Sequence, residues 1–120
     1  MKILVKKTLL YYTDKYPALS MQLMIWYNEF SKLNFHNLNE LKQVYGNASI
    51  LTNERVVFNI KGNEYRLIVS INFTQNACYL IWFGSYKEYD KINATTILFD
   101  TNILDFKIKF CDFAPSRQKK

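Results

Sequence analysis

Residues Tyr65–Phe73 alternate well: Tyr65, Leu67, Val69, Ile71 and Phe73 fall on one side, Arg66, Ile68, Ser70 and Asn72 on the other. Successive side chains of a strand point to opposite faces, so one face of this strand must be covered by another layer. Its neighbours extend the pattern into a meander. Arg55–Ile60 is β-branched and aromatic, and Lys61-Gly62-Asn63-Glu64 reads as a turn. After Thr74-Gln75-Asn76 the chain enters Ala77–Phe83, a nearly continuous apolar run of the kind a central strand carries. Gly84-Ser85 is expected to break it, and Tyr86–Ile92 to form about two helical turns. Thr96–Phe99 and Asp105–Phe110 are candidates for further strand, and Ala114–Lys120 for a frayed tail.

The covering layer precedes the meander. Ile3-Leu4-Val5 fits an edge strand, and Lys6–Tyr16 a short helix with Leu9, Leu10, Tyr12 and Tyr16 as its apolar residues. Pro17 suits a helical first turn. Leu19, Leu23, Trp26, Tyr27, Phe30 and Leu33 then follow at helical spacing. Asn37 with Glu40 resembles a capping box opening a helix over Leu38–Tyr45, which Gly46 ends. The expected fold is α+β, with N-terminal helices packed on a small antiparallel β-sheet.

A chain of 120 residues has room for one core, and 49% apolar residues supply it. The longest apolar run, Cys78–Phe83, is too short to cross a bilayer. Lys6 and Lys7 interrupt the start before a signal-peptide core develops, so a soluble, cytoplasmic protein with no membrane association is expected. The net charge is +6, carried by the two ends: Lys2, Lys6, Lys7 and Lys15 against Asp14 at one, Lys107, Lys109, Arg117, Lys119 and Lys120 against Asp105 and Asp112 at the other. Such a balance is compatible with a nucleic-acid partner without specifying one. Cys78 and Cys111 make no disulfide framework and read as ordinary thiols.

The chemistry is narrowed by what is scarce. His36 is the single histidine, no carboxylates cluster, and there is no glycine-rich phosphate loop, so neither a metal nor a cofactor is expected. RNA cleavage fits a site built from Arg, Lys, Tyr, Glu and Asp, because the substrate brings its own nucleophile, the 2′-hydroxyl. The best constellation is Lys61, Arg66 and the run Tyr86-Lys87-Glu88-Tyr89-Asp90-Lys91. Arg66 is the charged residue of a strand whose other face is apolar, and the meander returns the end of Ala77–Phe83 beside it. A solvated arginine and a charged surface helix are the bland alternatives. His36 is expected in a loop or a helix cap.

Two longer segments carry a resemblance. Ala48 through Leu67, containing Arg55-Val56-Val57-Phe58-Asn59 and Gly62-Asn63-Glu64-Tyr65-Arg66, resembles a signature of the HigB-type toxins of bacterial toxin–antitoxin systems, in the RelE-like superfamily. Gly84-Ser85-Tyr86-Lys87-Glu88-Tyr89-Asp90-Lys91-Ile92-Asn93-Ala94 resembles the second, and Lys7-Thr8-Leu9, Tyr16-Pro17 and Trp26-Tyr27 fit the helical half. The likeness covers about residues 1–97, leaving 98–120 as a C-terminal extension with an added strand as one reading.

The resemblance implies a RelE-like microbial RNase fold and a metal-independent endoribonuclease cutting mRNA, typically on the translating ribosome. It also implies a cognate helix-turn-helix antitoxin. On matched positions, Arg66 is the phosphate or transition-state contact, and Tyr86, Tyr89 and Asp90 orient the attacking hydroxyl or relay protons. Lys61, Lys87 and Lys91 are expected to bind RNA, whereas Arg55 is either structural or an RNA contact. Tyr86 stands where family members usually carry histidine. A phenol ordinarily titrates near ~10 and an imidazole near ~6.5, but a phenol can also stack on a base or hydrogen-bond a phosphate.

Overall fold

Among the described residues, five strands form one mixed sheet in the order β1-β5-β4-β3-β2: β1 Lys2–Leu4, β2 Ser49–Ile50, β3 Arg55–Ile60, β4 Tyr65–Asn72 and β5 Ala77–Ser85. This is a computed structural model, and it describes residues 1–98 apart from Val5, Asn53 and the side chain of Leu4. Cys111 and the expectations for Phe99, Asp105–Phe110 and Ala114–Lys120 lie outside those residues. Within the described residues four α-helices accompany the sheet: α1 Lys6–Lys15, α2 Ser20–Ser31, α3 Leu38–Val44 and α4 Tyr86–Tyr89. None is long and apolar enough to cross a membrane.

The meander is as expected. β2–β3, β3–β4 and β4–β5 are antiparallel, and β5 lies inside the sheet. The sheet is not purely antiparallel, however. β1 pairs parallel with β5, Ile3 opposite Cys78, because α1, α2 and α3 intervene before the chain meanders back. Parallel neighbours need such a crossover.

The core lies between the helices and one sheet face. Val56, Phe58 and Ile60 of β3, Leu67, Val69 and Ile71 of β4, and Cys78, Leu80 and Phe83 of β5 meet Leu9, Tyr12, Leu23, Trp26 and Phe30 from the helices. Trp26 stacks on Phe30 with ring centroids 5.0 Å apart, as a core helix requires. Cys78 is fully buried, and burial pushes its thiol up to about 12.

A bulge explains how the apolar run Ala77–Phe83 divides its side chains. Ile68 pairs with Trp82 and Val69 with Leu80, leaving Ile81 as the extra residue. Leu80 and Phe83, three apart, therefore both face the helices, and Trp82 turns to the face that carries Arg66. That second face is not wholly solvated: Ile68 is 0% exposed and Val57 2%.

Several boundaries move. Pro17 opens a 3-10 turn, Pro17–Leu19, whose end runs into α2. Asn37 Oδ1 accepts from Glu40 N at 3.0 Å, but Glu40 Oε1 accepts from His36 N at 2.8 Å, so the reciprocal bond of the box forms one residue early. Gly84-Ser85 does not break β5, because Gly84 still pairs with Arg66 and Ser85 with Tyr65. The helix after it is one turn rather than two, and Thr96–Leu98 are not strand.

Candidate functional site

The β4 register sets the site. Arg66 lies between Asn59 of β3 and Gly84 of β5, and Tyr65 faces Ser85, so β5 leaves the sheet beside Arg66 and starts α4 there. Tyr86 N donates to Glu64 O at 2.9 Å and joins α4 to the first residue before β4. The β3–β4 turn holds two successive positive-φ residues, Lys61 (55°) and Gly62 (67°). Glycine adopts that conformation without steric cost, whereas for lysine it is uncommon.

α4 is held by a complete capping box. Ser85 Oγ accepts from Glu88 N at 3.2 Å, and Glu88 Oε1 accepts from Ser85 N at 2.9 Å. The Tyr16 hydroxyl also donates to Glu88, 3.0 Å to Oε1 and 3.3 Å to Oε2. The Ser85 amide first, and the Tyr16 hydroxyl and Ser85 side chain after it, hold the Glu88 carboxyl below the usual 4.5. Burial first and Glu88 second raise the Tyr16 phenol, which therefore remains a donor.

Arg66 is half-buried. Its Nη1 donates to Asn63 O at 2.6 Å and Tyr65 O at 3.3 Å. Its guanidinium carbon lies 6.0 Å from the Tyr89 ring centroid, and the Tyr89 ring lies 6.3 Å from that of Trp82. Among the described residues no carboxylate pairs with Arg66. Its bonds go to carbonyls, so the full positive charge remains available to an anion, and the guanidinium fork suits phosphate.

The other expected residues separate. Tyr86 is 44% exposed at the start of α4. Asp90, the residue after α4, is exposed and donates its own N–H to Tyr86 O at 3.1 Å. Lys87 and Lys91 are exposed on the same segment. Lys61 sits at the turn before β4 with its Nζ 3.6 Å from Glu64. Arg55 is at the far end of β3, four residues from Asn59 or roughly 13 Å at the rise of a strand. Its Nη1 donates to Ala94 O at 2.9 Å and ties the turn after α4 to the sheet. A groove of about 340 Å³, lined by Glu54, Ser70, Asn72 and Tyr79, opens at the end of β4 away from Arg66.

Four contributors were given no site role of their own from the sequence. Glu88 and Tyr16 position α4, Trp82 backs Tyr89, and Gly84 makes room: a Cβ there would come within 2.6 Å of the Trp82 ring and 3.0 Å of Glu88 Oε1. Ser85-x-x-Glu88 is a capping-box pattern that could have identified Glu88. Nothing local marked Tyr16, 72 residues away.

Residues 20–92, more than half of the chain, match the family model described as HigB_toxin, RelE-like toxic component of a toxin-antitoxin system. The chain is also 29% identical over 96 residues to the mRNA interferase toxin HigB of Escherichia coli (strain K12), spanning 78% of this chain and 92% of that protein. The mRNA interferase HigB of Shigella flexneri is similar to the same extent. The match spans both β3–β4, with Arg66, and α4, with Tyr86 and Tyr89. The chain belongs to the HigB toxin family, the RelE-like toxic components of toxin–antitoxin systems.

Proposed function

We propose that this protein is the toxin of a type II toxin–antitoxin pair: a metal-independent endoribonuclease that cleaves mRNA on the translating ribosome in the cytoplasm. A helix-turn-helix antitoxin would silence it. The observation that carries this reading is Arg66, a half-buried guanidinium with no carboxylate partner among the described residues, set over Tyr89 at the mouth of α4. The mRNA interferase relatives support the same reaction class.

The chemistry needs no group beyond the chain and the RNA. The 2′-oxygen attacks the adjacent phosphorus, the bond from phosphorus to the 5′-oxygen breaks, and the 2′-hydroxyl proton is lost as the leaving oxygen gains one. The products are a 2′,3′-cyclic phosphate and a 5′-hydroxyl. Arg66, with Lys61 in support, neutralises charge developing on the phosphate oxygens, and such contacts are worth most where the donor is already in place. Tyr86, Tyr89 and Asp90 orient the ribose or carry protons, and Lys87 and Lys91 give sequence-independent affinity for RNA phosphates. Arg55, occupied by Ala94 O, acts structurally in this scheme.

Induced expression of wild type and Arg66→Ala in a bacterial host, with growth and mRNA 5′ ends followed, tests the reading. New ends within reading frames that disappear in a folded mutant support it. Equal toxicity and cleavage from the mutant would overturn it.

A further inference from the structure

α4 is a single turn of four residues. A helix that short does not persist alone, since one turn fixes several dihedral angles for one hydrogen bond. Its direction must therefore be imposed from outside. Tyr86 N to Glu64 O fixes its first residue to the β3–β4 turn, and the Ser85–Glu88 box closes its first turn. These bonds come from adjoining chain on the sheet side, as does the Arg55–Ala94 bond after the turn, and none of them ties α4 to the helical layer.

The tie from the helical layer is the Tyr16 hydroxyl on Glu88. Tyr16 is well placed to hold a fixed point. Its ring packs edge-on against Phe83 at 5.4 Å and Tyr65 at 5.9 Å, the chain neighbours of Gly84 and Arg66. Its hydroxyl spans both carboxylate oxygens, so Glu88 is fixed in azimuth as well as distance. Glu88 in turn lies over Gly84, the residue paired with Arg66. Tyr86 and Tyr89 flank Glu88 on the same turn, so the direction of Glu88 sets the direction of both rings.

We propose that Tyr16 and Glu88 form a latch that aims α4, making them positioning residues that hold Tyr89 against Arg66, and with it Tyr86 on the same turn, for the cleavage step. The proposal rests on the site reading given above. The latch touches no substrate. Loosening it displaces the reacting groups without removing them, and a displacement of about 1 Å can cost up to a hundredfold in rate.

Tyr16→Phe cuts the latch and keeps the ring packing and the capping box. Its cleavage of message on stalled ribosomes is measured at rising complex concentration, beside Arg66→Ala, Glu88→Gln and Glu88→Ala. The expected result is a saturating rate lowered about tenfold or more in Tyr16→Phe, with the half-saturating concentration within about twofold of wild type. Glu88→Gln, which still accepts both bonds, should recover most of the rate lost in Glu88→Ala. A wild-type rate in Tyr16→Phe, a loss confined to half-saturation, or Glu88→Gln as slow as Glu88→Ala would each overturn the latch. Undiminished cleavage by Arg66→Ala would instead overturn the site reading, so the two failures are separable.

Discussion

The guanidinium of Arg66 lies over the ring of Tyr89, 6.0 Å from its centroid, although the two residues come from different elements. Arg66 belongs to β4 and Tyr89 to the turn that follows β5, and the Arg66–Gly84 pairing brings them together. A planar cation over an aromatic face is attracted to it and still leaves its edge donors free. The arrangement holds in place the guanidinium that we propose contacts phosphate.

Gly84 is required by Trp82. Gly84→Ala would drive a Cβ to 2.6 Å from the indole ring. Overpacking of this kind costs about 1–3 kcal/mol, and each kcal/mol lowers Tm by roughly 4 °C in a chain of this length. Trp82→Leu in the same chain should recover part of the loss. Thermal denaturation of the two single variants and the double variant checks this, and an unchanged Tm in Gly84→Ala would contradict it.

Glu88 makes stability depend on acid. Its folded carboxyl titrates below the usual 4.5 because the Ser85 amide and the Tyr16 hydroxyl favour the charged form. A group lowered on folding contributes stability that is complete above its unfolded value and disappears as pH falls through the folded one. The wild type should therefore lose its advantage over Glu88→Gln as pH drops below 4.5. Tm followed against pH for both proteins reads the difference, and parallel curves would refute it.

Cys78 should be inert in the folded protein. It is fully buried, with its thiol pushed up to about 12, and the thiolate is the reactive form. In a Cys111→Ser background, labelling by a thiol reagent should follow unfolding and accelerate with denaturant. Rapid labelling in buffer would show that the β5 core opens locally.

Tyr86 should contribute through its hydroxyl. Tyr86→Phe retains the ring and should lower cleavage by about a hundredfold if the hydroxyl moves a proton in the step. Tyr86→His should remain active and acquire a pH dependence near ~6.5. Single-turnover rates across pH distinguish the variants, and a Phe variant as fast as wild type would assign the ring to stacking alone.

Much of this was legible because it was periodic. The alternation of Tyr65–Phe73 gave the buried face and isolated Arg66, and helical spacing located Trp26 and Phe30 in the core. Ala77–Phe83 resisted because an almost wholly apolar run shows no parity, and the bulge at Ile81 then reversed it, turning Trp82 toward Arg66. Ile68 falls on the outer face as its parity implies, but its burial there was not legible from β4 alone. The parallel pairing of β1 rests on three residues, too few to carry a direction. Tyr16 and Glu88 were illegible as a pair because only the fold brings residues 72 apart into contact.

The most direct test is the chemical nature of the ends left on message cleaved in a purified translation reaction by wild type and Arg66→Ala. Attack by the 2′-hydroxyl predicts a 2′,3′-cyclic phosphate, or the monophosphate it opens to, facing a 5′-hydroxyl. Those ends should form about 10²–10³ times more slowly with the folded mutant, the loss typical when one stabilising donor is removed. Ends bearing a 3′-hydroxyl and a 5′-phosphate, or equal rates from the two proteins, would contradict the account.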